Sequence, residues 1–241
     1  MPSLLFHLSF IIIALVVSAF FYDNTYDGQR YHQEIVSLLK EGWNPIYESS
    51  GTTSLWVNHY AKGIETIAAT IFSTTGNVEA GKAVNFIIIF ASLFFACDFL
   101  DKNFSCISRN RKYFLSCLLA FAPITIVQLF TFYIDWCAYS LLLILVTSLI
   151  NMSRNFSKYS YGVIISVIFL SATIKFNIFF WILFAVFCFM VYLLITKKIS
   201  LSEKIVHCGS NRLHNGSIYR RGKSLYNEYY LSSNSFLPAY G

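Results

Sequence analysis

The stretch Ser3–Glu34 sets the architecture. It reads SLLFHLSFIIIALVVSAFF over Ser3–Phe21 and YDNTYDGQRYHQE over Tyr22–Glu34. The first part is apolar except for His7, Ser9 and Ser18. It has about the 20 residues that a membrane-spanning helix needs. No Lys or Arg precedes it and no small-residue cleavage site follows, so a retained first helix is expected rather than a cleaved signal peptide. The second part places Asp23 and Asp27 just beyond that helix, with Arg30, His32 and Glu34 directly behind them.

The rest of the chain agrees with a membrane setting. Of 241 residues, 56% are hydrophobic and 12% charged, about half the charged share of a soluble domain. The net charge of +6 does not point to nucleic acid. The basic residues lie in the loops between apolar runs and in the C-terminal segment, where positive-inside topology accounts for them. The six cysteines, Cys97, Cys106, Cys117, Cys137, Cys188 and Cys208, form no CxxC or Cys/His ligand spacing. They give neither a disulfide framework nor a metal site.

Apolar runs follow at Ala83–Leu100, Tyr113–Phe132 and Trp136–Met152. Tyr161–Thr196 is too long for one helix: at about 1.5 Å per residue it would exceed roughly 50 Å, against a hydrocarbon core of about 30 Å. A split at Lys175 and Asn177 is expected there. The fold class is therefore an all-α polytopic membrane protein of about six transmembrane helices. Residues 1–200 form the bundle and residues 201–241 a polar C-terminal tail, rich in Ser, Asn, Tyr and Arg. The first external loop, residues 22–81, is long. It carries two short amphipathic helices, one through Tyr31, Ile35, Leu38 and Leu39, the other through Trp56, Tyr60, Ile64, Ile67, Ala68 and Ile71. The turn-rich GWNPIYESSGTTS joins them.

Placing the N-terminus in the cytoplasm puts the loop Lys102–Lys112, the loop at Arg154 and Lys158, and the basic tail inside. Both termini are then cytoplasmic. The turns at Asp135 and Lys175 fall outside, on the side of Asp23 and Asp27. Four polar sets thus converge on the outer face: Asp23 and Asp27 with Arg30, His32 and Glu34; His59 with Lys62 and Glu65; Asp135; and Lys175. Ionisable groups at membrane depth are costly and mark functional sites by default. Plainer roles exist for each. Asp23 and Asp27 suit a helix N-terminus, and Asp135 suits the start of the fourth span. His32 and His59 suit packed or interfacial positions, and Lys175 suits an interfacial lysine reaching for water.

The segments YDGQRYHQEIVSLLKEGWNPIYE and WVNHYAKGIETIAATIFSTTGNVEAGKAVN resemble the N-terminal part of bacterial GT-C-type membrane glycosyltransferases. The turn QLFTFYIDW and the segment ATIKFN resemble later external turns of that family. The resemblance runs from about Phe10 to Lys198 and leaves the tail unmatched. It implies a bacterial inner-membrane transferase that moves a sugar from a polyprenyl-phosphate donor to a glycan or lipid acceptor on the periplasmic side. Asp27 best matches the family's acidic base, with Asp23 second. Lys175 or Arg30 would meet the charge developing on the lipid phosphate, and His32, His59 and Asp135 complete the implied substrate-binding set. The lipid-linked sugar is the donor substrate and no cofactor is required, while a divalent metal is left open. Family members usually carry more helices and often an external C-terminal domain, so an incomplete form fits as well. The competing expectation is a non-enzymatic polytopic protein, a transporter or a polysaccharide-assembly partner. That class would show internal repeats and midplane charges. No repeat is visible, and the charges gather at one face instead.

Overall fold

The computed structural model describes residues 4–154 and 157–196. The tail expected at 201–241 lies outside them. Among the described residues the chain is helical, with no strand. The helices are α1 (Leu4–Phe20), α2 (Gln33–Lys40), α3 (Leu55–His59), α4 (Gly63–Thr75), α5 (Ala83–Asn103), α6 (Arg109–Ala120), α7 (Pro123–Gln128), α8 (Asp135–Arg154) and α9 (Lys158–Ile174). A further helix, α10, covers Phe176–Thr196. A π-helical turn at Gly28–His32 leads into α2, and a 3₁₀ turn at Val78–Lys82 leads into α5.

Three helical stretches, Val78–Asn103, Asp135–Arg154 and Phe176–Thr196, are long and apolar enough to cross a membrane. The shorter apolar helices are Leu5–Phe20 and Lys158–Ile174. Their outer surfaces are oily: Ile12, Ile13 and Val16 on α1, and Phe180, Trp181 and Phe184 on α10, stay exposed. So much exposed apolar surface calls for a partner phase other than water.

Two expected helices are broken, each for a local reason. The run Tyr113–Phe132 is not one helix. α6 ends at Ala120, and Pro123 opens α7 at the first helical position. Proline cannot donate to the turn before it, so the break falls where the ring is tolerated. The amphipathic pattern through Trp56 and Ile71 likewise divides into α3 and α4, with Tyr60 extended between them. The long run after Tyr161 breaks at Lys175, whose backbone is also extended.

The chain divides into two units, Met1–Phe187 and Cys188–Gly241. In the first, α5 packs against α8, α6 and α1, and α8 packs against α9. The polar segment between α1 and α5 folds over one end of these helices. α2 buries Ile35 and Val36 completely. Val36 joins Ala68, Ala69 and Phe132 in one cluster, and Ile35 joins Tyr31 and Val57 in another. Burying one such aliphatic side chain stabilises by about 1.5–3 kcal/mol, which is how short helices hold their place. Close approach is built in at Gly63, where a Cβ would overlap Thr173 of α9. In the second unit the described residues 188–196 continue α10, with the Phe189 and Tyr192 rings 6.4 Å apart.

Polar contacts gather at the two ends of the helices. At one end, Asn85 donates to the carbonyls of Leu129 (3.0 Å) and Thr131 (2.8 Å). Lys82 donates to the Phe21 carbonyl, and Lys175 pairs with Asp135 at 2.6 Å. At the other end, Asn103 donates to Asn151 (2.8 Å), Asn151 to Asp98 (3.1 Å), and Lys112 pairs with Asp101 (3.2 Å).

Candidate functional site

The first of these ends contains every residue singled out in the sequence, but in three different states. Asp23 is fully buried. Its Oδ1 accepts from the Thr25 amide (2.8 Å) and hydroxyl (2.7 Å), and its Oδ2 accepts from the Phe132 amide (2.7 Å). Its own amide donates to Glu79 Oε2 at 3.3 Å, and its carbonyl accepts from Gln29 at 2.7 Å. It is not the helix cap that its position suggests, since the Thr25 hydroxyl accepts from the Gly28 amide (3.2 Å) instead. With both oxygens taken and no exposed surface, Asp23 has no face to offer an acceptor hydroxyl. It is a clasp between the end of α1 and the turn before α8.

Glu79 and Lys82 extend this clasp, and the sequence reading missed both. Glu79 Oε1 accepts from Gln33 at 2.9 Å, while Oε2 pairs with Lys82 Nζ at 2.5 Å. Lys82 has no exposed side-chain surface. Their spacing of three residues was the available signal, since such pairs meet on a helix surface.

His32 is the second state. Nδ1 lies 2.7 Å from Glu65 Oε1, and the two side chains are 1% and 2% exposed. The π-helical turn lets consecutive residues Tyr31 and His32 both be buried, while Arg30 faces outward. His32, expected in the substrate-binding set, is buried here, where its contact with Glu65 ties α2 to α4. Polar groups this buried need such a partner in place of water.

The third state is open. Asp27 is partly buried and makes no capping hydrogen bond. Its negative charge instead bears on the phenols of Tyr31 and Tyr133. Both phenols are held above the ordinary tyrosine range, by burial first and then by the Asp27 charge and hydrogen bond. They remain O–H donors at neutral pH. Tyr31 packs 6.0 Å from the Tyr60 ring. Lys175 Nζ in turn stands 5.8 Å above the Tyr60 ring and 2.6 Å from Asp135 Oδ1. Burial alone would lower the Lys175 ammonium. Hydrogen bonds to Asp135 and Tyr60 outweigh it, and the net direction is up. Lys175 therefore stays charged rather than simply reaching for water. Lys62, which donates to the Tyr60 carbonyl, is shifted the other way: burial lowers it and Glu65 only partly compensates.

Arg30 is exposed and lies 5.5 Å over the Tyr26 ring. His59 is exposed at the rim of a groove of about 610 Å³ that runs beside Trp56, Tyr60, Ile174, Lys175 and Phe176. The structure thus groups Asp27, Lys175 and Asp135 through three tyrosines, and puts His59 beside Lys175. It leaves Arg30 on the surface and takes Asp23 and His32 out of reach. Tyr31 and Tyr60 were legible only as stripe residues, and Tyr133 not at all, because tyrosine in an aromatic-rich chain carries no distinctive pattern. Among the described residues, no group of three or more His, Cys, Asp or Glu has metal-holding geometry.

Fold and site together define, among the described residues, an all-helical chain with three helices long and apolar enough to cross a membrane and an ionisable layer at one end. Comparison with family models, curated proteins and solved structures finds no match.

Proposed function

We propose that this chain is a polytopic membrane glycosyltransferase, or the N-terminal part of one, acting on a polyprenyl-phosphate sugar at the periplasmic face of a bacterial inner membrane. The observation that carries it is the patch Asp27–Tyr31–Tyr60–Lys175. A carboxylate with exposed surface and a held cation share one polar layer beside an aromatic groove. That is the pair of charges an inverting transfer needs. Asp27 takes the proton of the acceptor hydroxyl as its oxygen attacks the anomeric carbon. The bond from that carbon to the phosphate oxygen breaks, and Lys175 faces the charge left on the lipid phosphate. Tyr31 and Tyr133 orient the carboxylate without competing for the proton, because their own stay bound.

Six crossings, with α6 and α7 together making the third, put both termini in the cytoplasm. Support comes from the way the polar contacts sort. Phe21, Asp23, Lys82, Phe132, Asp135 and Lys175 meet at one end, and Asp98, Asp101, Asn103, Lys112 and Asn151 meet at the other. The basic loops belong to the second group.

The test is sugar transfer in membrane vesicles from a radiolabelled polyprenyl-phosphate sugar. Asp27→Asn is expected to lower transfer by about 10²–10⁴-fold, the usual contribution of a general base. Full transfer by that variant at equal membrane level would remove Asp27 from the role.

A further inference from the structure

The end of the helices opposite Asp27 carries a second site, and its chemistry differs. A notch of about 230 Å³ lies between the C-terminal parts of α5 and α8 and the start of α9. Its polar lining includes Asp98, Lys102, Ser148 and Asn151. Ser148 is 2% exposed, and its hydroxyl has no hydrogen-bond partner among the described residues. An orphan buried hydroxyl facing a cavity wants a ligand atom or a water. Asp98 and Lys102 pair at 2.7 Å, yet among the described residues both side-chain bonds to Asp98, from Lys102 and from Asn151, go to Oδ2. Oδ1 is left for another donor, and the Lys102 ammonium has donors to spare.

Phe94, Phe95 and Tyr159 line the notch and also line a groove of about 480 Å³ between α1 and α5. That groove is walled by Phe10, Ile87 and Phe90, with the Phe10 and Phe90 rings 4.0 Å apart. A polar recess offering one anion and one cation, beside an apolar groove that shares three of its lining residues, has the polarity of one molecule class.

We propose that this site binds a zwitterionic aminophospholipid. Its primary ammonium lies at Asp98 Oδ1, its phosphate at Lys102 and the Ser148 hydroxyl, and an acyl chain in the α1–α5 groove. The carboxylate favours this headgroup over an anionic one, which would meet Asp98 with like charge. The narrow notch and the need for N–H donors favour it over a methylated ammonium. The site requires that the chain lie in a bilayer. It is independent of sugar transfer and of Asp27.

The experiment is native mass spectrometry of the full chain released from nanodiscs holding equal amounts of phosphatidylethanolamine, phosphatidylglycerol and phosphatidylcholine. Wild type is expected to retain phosphatidylethanolamine about fivefold over the other two, the scale of one exposed charge contact. Asp98→Asn abolishes the preference and Asp98→Glu keeps it, both with an unchanged helical circular dichroism spectrum. Equal retention of the three lipids in wild type means a non-specific lipid annulus and overturns the proposal. A preference for phosphatidylglycerol, or a phosphatidylethanolamine preference that survives Asp98→Asn, overturns it as well.

Discussion

Asp23 and Asp27 sit four residues apart in one polar stretch, and the fold treats them as different kinds of group. Asp23 is sealed, with both oxygens bonded to Thr25 and Phe132 and its backbone tied to Glu79 and Gln29. Asp27 keeps exposed surface and faces two phenols. The same contrast separates His32, locked to Glu65, from His59, open at a groove rim. The lesson is that a cluster of ionisable residues at a helix mouth contains its own scaffold. Half of it is spent on holding the other half still.

The widest gap between the two aspartates should appear when each is replaced in turn. On the proposed reading, Asp27→Asn leaves the thermal midpoint in detergent nearly unchanged and lowers transfer by about 10²–10⁴-fold. Asp23→Ala leaves the Phe132 and Thr25 amides without acceptors, at about 1–3 kcal/mol for each unpaired buried group, and lowers the midpoint by many degrees. If Asp27→Asn melted as early as Asp23→Ala, the distinction between scaffold and site would fail.

Next in size is the His32–Glu65 pair. Removing one partner strands a buried group, and Glu65→Ala is expected to cost about 3–5 kcal/mol. Chemical denaturation in mixed micelles measures it. Replacing His59, which is exposed, should change stability by less than about 0.5 kcal/mol.

Gly28→Ala joins the two regions. Its Cβ would overlap the Asp23 carboxylate, which has no room to move. An overpacked core costs about 1–3 kcal/mol, and here the strain sits one residue from Asp27. Transfer should fall further than stability, and a variant with wild-type activity would show that the clasp does not position the base.

The smallest effect concerns Lys175. Its ammonium is raised above the ordinary value of 10.5 in the folded chain. The pair with Asp135 therefore stabilises fully below that value, and the contribution is lost as pH rises through the folded pKa. The side chains are 26% and 43% exposed, so the term is only about 0–1 kcal/mol. Lys175→Met should lower stability slightly at pH 8 and lose its difference from wild type at strongly alkaline pH.

The helices were legible where local composition decides them. The runs that became α1, α5 and α8 need only length and hydropathy, and the break at Lys175 follows from a charge in an apolar run too long for one span. Pro123 was visible too, but a proline in an apolar run can kink a helix as well as end one, and only the fold shows that it opens α7. The site was legible as a set of charges and illegible as a set of roles. Within Phe21–Glu34 the family resemblance ranks Asp27 ahead of Asp23, but no residue there shows that Asp23 is sealed.

What the sequence alone determined is a helical membrane-type chain, with several apolar helices long enough for a bilayer and ionisable residues gathered after a first, shorter apolar helix. Those properties are sums over neighbouring residues. Which aspartate is closed, which histidine is buried, and that three tyrosines link Asp27 to Lys175 were decided by tertiary structure. The reason is distance along the chain: the amide that seals Asp23 comes from Phe132, 109 residues away. The carboxylate that locks His32 comes from Glu65, 33 residues away. Burial and partnership are properties of such meetings, and no local pattern records them.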